Sequence, residues 1–227
     1  MKNEKKLYMI WKSANTRRRY KVAELVNIND EKYIFSYINP ELNDAKKVGF
    51  SLYPGFNDDN KRYKSNYLFK NIAMRLPNKN RDDYNTYSEK FGILPGDSDF
   101  EILTKTKGKI VTDNIEFIRP FSKNGFEFEI AGIRYYDIKT IKRCLHIGDV
   151  VKLEIDSTNK FDEYAVKVTY EYDRKSYILG YVPRYYSEDV YKCIENNEIG
   201  VASITFYDVS CKEFNDFNSI IIGVKFK

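Results

Sequence analysis

The sequence predicts a β-rich α+β protein of two domains, with two to three helices in the N-terminal one. Three observations carry that expectation. The chain has 227 residues, 42% of them hydrophobic, enough for one large core or two small ones, and the length favours two. Its 20 Tyr and 15 Phe are residue types that suit pleated, half-buried surfaces. Its charge changes sign along the chain: through Pro120 there are 23 Lys+Arg against 16 Asp+Glu, a net of +7, and the remainder has 15 against 17, a net of −2. The expected domains are 1–120 and 125–227, with Pro120 to Gly125 as a linker.

In the first domain, residues 7–12, 18–26 and 32–38 are β-branched and aromatic runs separated by turn-forming stretches such as Asn27-Ile28-Asn29-Asp30, and they predict a strand meander. A helix is expected next. Ser65 is its N-cap, and Leu68, Phe69, Ile72, Ala73 and Leu76 fall on one face at steps of three and four until Pro77 stops it. A second helix is expected from Asp82 to Phe91, ended by Gly92 in the left-handed conformation. A third starts at Ser98, with Glu101 completing a capping box. Ile115 to Ile118 closes the domain as a strand.

Composition removes several classes of function. Cys144, Cys193 and Cys211 are odd in number and widely spaced, which argues against a disulfide framework and for a reducing compartment. Cys144 and His146 lie two apart, but no second ligand pair accompanies them and His146 is the sole histidine, so no metal is expected. No run approaches the ~20 apolar residues of a membrane span. The apolar stretch Leu7 to Trp11 is too short for a signal-peptide core, and a cytoplasmic protein is expected. None of the phosphate-loop, dinucleotide or nucleophile-elbow patterns occurs, and Glu171 with Asp173 forms no carboxylate cluster that would hold metal. The expectation is a protein without catalytic residues or cofactor.

The chemistry-bearing motifs lie in the second domain. They are Ala131-Gly132-Ile133-Arg134-Tyr135-Tyr136, then Asn159-Lys160-Phe161-Asp162-Glu163-Tyr164-Ala165-Val166-Lys167-Val168, then Leu179-Gly180-Tyr181-Val182-Pro183-Arg184. Arginines and exposed aromatics hold nucleotides by phosphate contact and base stacking, and a fixed carboxylate accepts a hydrogen bond from a sugar hydroxyl. Because this half is net negative, it cannot rely on counterion release along a long backbone, and any contact there should be short and terminal. Each residue also has a structural reading. Tyr135 and Tyr136 are expected on a strand, where one of two consecutive side chains must face inward, leaving only the other for a ligand. Asp162 can serve simply to cap the turn begun at Asn159.

In this order the three motifs resemble the HIRAN domain, a small OB-like β-barrel found in Rad5-like and helicase-like transcription-factor remodellers and as a stand-alone bacterial module. The resemblance runs from residue 126 to about 207, with Lys160 standing where many members carry Pro. It implies a barrel with one or two short helices that captures a 3′-hydroxyl end of single-stranded DNA. The implied roles are phosphate contact and stacking for Arg134 and Tyr135, stacking for Phe161 and Tyr181, the terminal hydroxyl for Asp162, and phosphate for Arg184.

Residues 7–119 resemble the N-terminal subdomain of HipA-type serine/threonine kinases. The resemblance lies in the strand meander, the Arg75-Leu76-Pro77 helix end and the run Asp99-Phe100-Glu101-Ile102-Leu103. It implies a second function, an antitoxin-like or accessory subunit that regulates a separate HipA-type kinase in a toxin–antitoxin system, with a helix-turn-helix repressor as a further partner. Two basic stretches remain: Arg17-Arg18-Arg19, and the set Lys61, Arg62, Lys64, Lys70, Arg75, Lys79 and Arg81, which has no acidic residue between positions 60 and 81. Both read first as solvated faces and second as contacts for nucleic acid or an acidic protein.

Overall fold

The computed structural model describes residues 4–136, 138, 140–141, 143–208 and 219–227. The chain divides into two compact units, Met1–Pro120 and Phe121–Lys227.

The first unit holds strands β1 (Glu4–Lys12), β2 (Arg19–Ile28), β3 (Lys32–Tyr37), β4 (Tyr63–Ser65) and β5 (Ile115–Ile118). They form one antiparallel sheet in the order β4-β3-β2-β1-β5. Alternation along the strands turns Leu7, Met9, Leu25, Phe35 and Phe117 into a core closed by Leu42, Phe56, Ile72 and Leu103. Phe35 and Phe56 stack at 3.9 Å between centroids. Helices α1 (Glu41–Lys47), α2 (Lys70–Ala73), α3 (Tyr84–Phe91) and α4 (Asp99–Thr106) complete the unit.

The meander, α3 with Gly92 at φ 62°, and the strand Ile115–Ile118 fall where the sequence places them. The capping box at α4 is complete: Ser98 accepts from the Glu101 N–H at 3.3 Å, and Glu101 accepts from the Ser98 N–H at 2.9 Å. The helix expected from Ser65 is corrected. Tyr63–Ser65 pairs with β3 instead, because the Tyr63 ring packs edge-on against Phe56 at 5.0 Å, and the Ser65 hydroxyl accepts from Tyr67 N–H in a local turn. Only Lys70–Ala73 is helical, although the apolar face does point inward, with Leu68 and Ile72 buried. Helix α1 has no counterpart in the sequence reading.

One buried hydroxyl supports a pH prediction. Tyr37 donates to the Phe56 carbonyl at 2.9 Å and accepts from the Tyr53 N–H at 2.8 Å, and burial pushes its pKa from 10.0 up to about 12. The folded state therefore holds this proton when the unfolded chain has released it, so the Tyr37 contribution is complete below pH 10 and is lost as pH rises toward 12. Tyr37→Phe should cost about 1–3 kcal/mol by leaving both backbone groups unpaired. It should also flatten the alkaline fall in stability, measured as denaturant midpoint against pH. An unchanged alkaline slope would contradict the assignment.

The second unit holds β6 (Phe126–Glu129), β7 (Val150–Ile155), β8 (Val166–Tyr172), β9 (Lys175–Tyr181), β10 (Ile199–Asp208) and β11 (Ser219–Phe226), with helix α5 (Arg184–Glu195) after β9. The sheet order is β6-β11-β10-β7-β8-β9, and the sheet curls so that the two edges meet. Ala131, just beyond β6, exchanges two backbone hydrogen bonds with Tyr181 of β9, at 2.8 and 2.9 Å. The result is an OB-like barrel. Closure needs Gly180: its φ is +148°, and a Cβ there would lie 2.5 Å from the Ala131 carbonyl oxygen and run into Ile130. Buried Tyr186, Val190 and Cys193 on α5 follow helical spacing.

Cys144 and Cys193 are free thiols, and Cys211 lies outside the described residues. Among the described residues no group of His, Cys, Asp and Glu is arranged to hold a metal, and no helix is long and apolar enough to cross a membrane.

Candidate nucleic-acid interface

The six residues singled out in the sequence lie on three segments that hydrogen bonds fasten together. The first is a single 3-10 turn, Ile133–Tyr135, opened by Gly132 at φ 79°. A turn rather than a strand carries the tyrosine pair. It still divides them, leaving Tyr135 70% exposed and Tyr136 half-buried against the Tyr181 ring at 6.2 Å. Arg134 is exposed and lies over the Tyr135 ring at 4.8 Å, with its guanidinium donating to the Tyr135 hydroxyl at 2.7 Å. Cation and ring are thus held as one unit.

The second segment is the turn between β7 and β8. Asn159 Oδ1 accepts from the backbone N–H of both Phe161 (2.9 Å) and Asp162 (3.1 Å), so Asn159 is the residue that closes this turn. Asp162 Oδ1 accepts from the Tyr164 N–H at 3.2 Å. The Phe161 side chain stands 87% exposed. These bonds fix the turn without the proline that Lys160 replaces.

The third segment is the end of β9 and the first turn of α5. Arg184 Nη1 donates to the Phe161 carbonyl at 2.6 Å, one of five guanidinium donors. The buried Ser187 hydroxyl lies 2.7 Å from Asp162 Oδ2 and 2.9 Å from the Arg184 carbonyl, and its one proton is shared between these two acceptors. Asp162 therefore braces its own turn with Oδ1 and anchors that turn to α5 with Oδ2. A carboxylate offers about four lone-pair sites, and these two bonds leave acceptor capacity for a ligand hydroxyl.

Tyr181 departs most from a simple stacking role. Its hydroxyl donates to Asp156 Oδ2 at 2.7 Å and its ring is half-buried against Tyr136, so it forms a wall of the site. Burial, then the bonds with Tyr136 and Asp156, push its pKa well up. The same bond, with a second from the Thr158 hydroxyl at 2.7 Å, holds the Asp156 carboxyl below the usual carboxylate range. Asp156 and Ser187 were missed in the sequence. Their place in the i+3 position from Arg184 and three before Asn159 is the only local signal, and it acquires meaning when the segments meet.

Residues 123–216 match the family model of the HIRAN domain, so the second unit carries a HIRAN domain. The chain is also similar to the crystal structure of the HIRAN domain of human HLTF, at 16% identity over 45% of this chain and 74% of that one, with a TM-score of 0.33. A protein from Lactobacillus plantarum is similar at 20% identity over 44% of this chain and 96% of its own, also at 0.33. Among curated proteins, none matches this chain. The family match lies wholly outside Met1–Pro120, and the resemblance of residues 7–119 to HipA-type kinases gains no support from it.

Proposed function

We propose that the second unit binds single-stranded DNA and takes its 3′-hydroxyl end between the Arg134–Tyr135 pair, the Phe161 turn and the first turn of α5, by binding and not by catalysis. Phe161 carries this reading. An 87% exposed phenylalanine contributes nothing to a core, yet its N–H and its carbonyl are both tied down, by Asn159 and Arg184. That arrangement suits a stacking platform whose position is fixed before the base arrives. Arg134 and Arg184 supply charge for the flanking phosphates, and Asp162 supplies an acceptor for the terminal hydroxyl.

A carboxylate in that place accepts a bond from a hydroxyl and repels a phosphate. Oligonucleotides ending in a 3′-hydroxyl should bind about tenfold or more tightly than matched 3′-phosphorylated ones, a difference of ~1.4 kcal/mol. Asp162→Asn should narrow that ratio and preserve the fold. The amide oxygen can keep the Tyr164 N–H, and the amide nitrogen can donate to Ser187, whose hydroxyl still reaches the Arg184 carbonyl. Fluorescence anisotropy with the two oligonucleotides decides the matter: equal affinities for the unsubstituted protein would remove the hydroxyl role.

A further inference from the structure

The two ends of the first unit's sheet present different exposed charges. One end carries the β2–β3 turn, where Asp30, Glu31 and Asp99 line a cavity of about 440 Å³ with Tyr33. The opposite end carries the β1–β2 hairpin tip and, because β4 runs antiparallel to β3 with Tyr63 opposite Phe35, the residues just before β4. Those two places present Arg17 and Arg18, and Lys61 and Arg62, all exposed. No acidic residue occurs between positions 5 and 23.

Ion pairs remove other charges from this account. Lys46 pairs with Asp59, Lys47 with Asp44 at 2.8 Å, and Arg19 with Glu116 at 3.3 Å. Arg75 is buried on Asp113 and Arg81 is taken by Asp83, so neither belongs to the basic face that the sequence set out. Arg17, Arg18, Lys61 and Arg62 have no carboxylate within ion-pair distance among the described residues. Two of them are positioned: Arg18 lies over the Tyr20 ring and Lys61 over the Tyr63 ring, each at 5.1 Å. The tip itself is ordered by bonds from the Arg17 N–H to the Ser13 carbonyl and from the Ser13 N–H to the Arg18 carbonyl, both 2.9 Å, with Arg17 at φ 58°.

We infer that this basic end is a second, sequence-independent contact for a nucleic-acid backbone, an inference that rests on the proposed single-strand reading of the second unit. The exposed tip residues Ala14, Asn15 and Thr16 are small or polar and offer no apolar centre of the kind a protein partner buries. Exposed cations that form no ion pair release counterions from a polyphosphate, which the net-negative second unit is poorly placed to do. Arg18 acts on Asp44 only through space, without a contact. A terminal nucleotide would be read by the barrel, while affinity for a longer strand would come from the first unit.

The test uses the full chain with oligo-dT of two lengths, one just covering the barrel site and one several times longer. In Arg17→Asn/Arg18→Gln, where Asn suits the left-handed backbone, the plot of log affinity against log salt for the long strand should flatten by about 0.7 per lost phosphate contact. Lys61→Gln/Arg62→Gln should act in the same way, and neither variant should alter the short strand or the 3′-hydroxyl preference. An unchanged salt slope in both variants overturns the inference. If the unsubstituted protein shows no end preference but the slope still falls, the end-binding reading fails and this contact stands.

Discussion

Arg184→Ala should weaken binding of a 3′-hydroxyl oligonucleotide by about 2–4 kcal/mol, roughly 30- to 1000-fold, and by more than Arg134→Ala does. The two arginines are placed differently. Arg134 lies on an exposed turn over Tyr135, and its loss removes one phosphate contact and leaves the Tyr135 ring where it is. Arg184 also holds the Phe161 carbonyl, so its removal frees the turn that presents the stacking ring. Arg184→Lys keeps the charge without the planar fork and should fall between. Equal losses for Arg184→Ala and Arg134→Ala would mean that the bond to Phe161 has no part in binding.

Asp113→Ala should destabilise the first unit by about 3–5 kcal/mol, because it strands a buried guanidinium. Arg75 is 5% exposed and donates two parallel bonds to Asp113, both 2.7 Å, with further bonds to the Gly108 carbonyl at 2.8 Å and the Ile115 carbonyl at 3.1 Å. Burial works against its charge, and the bonds to Asp113 and Tyr53 more than restore it. The knot ties the end of α2 to the start of β5. Arg75→Met/Asp113→Ala should be less destabilised than Asp113→Ala alone, since the charge is then gone. Denaturant midpoints of the first unit's transition give the comparison. A double variant as unstable as the sum of the singles would show that the two side chains act independently.

Features governed by neighbours in sequence were legible before the structure. Ser98 with Glu101 specifies a helix start because each side chain reaches the other's backbone within three residues. The Asn159–Asp162 turn is legible for the same reason, as the Asn159 side chain bonds atoms two and three positions on. Helix signals around Ser65 failed because a distant partner outbid them: strand β3 offered Tyr63–Ser65 a ladder, and the Phe35–Phe56 cluster offered the Tyr63 ring a packing site. The basic stretch from Lys61 to Arg81 mixed exposed cations with Arg75, whose burial depends on Asp113, far along the chain.

By itself, the sequence determined that this protein is β-rich, where its charge changes sign, and which aromatic, basic and acidic residues could meet a nucleotide, because those properties reside in residue types and short spacings. Tertiary structure decided what those residues do. Only barrel closure at Ala131 and Tyr181 joins the Arg134–Tyr135 turn to β9, and only the approach of α5 gives Phe161 and Asp162 their partners Arg184 and Ser187. It turned Tyr181 into a wall by bonding its hydroxyl to Asp156. Hydrogen bonds between segments remote in sequence have no local signature, and in this protein they set which side chains stay exposed to a ligand and which are consumed in holding the site together.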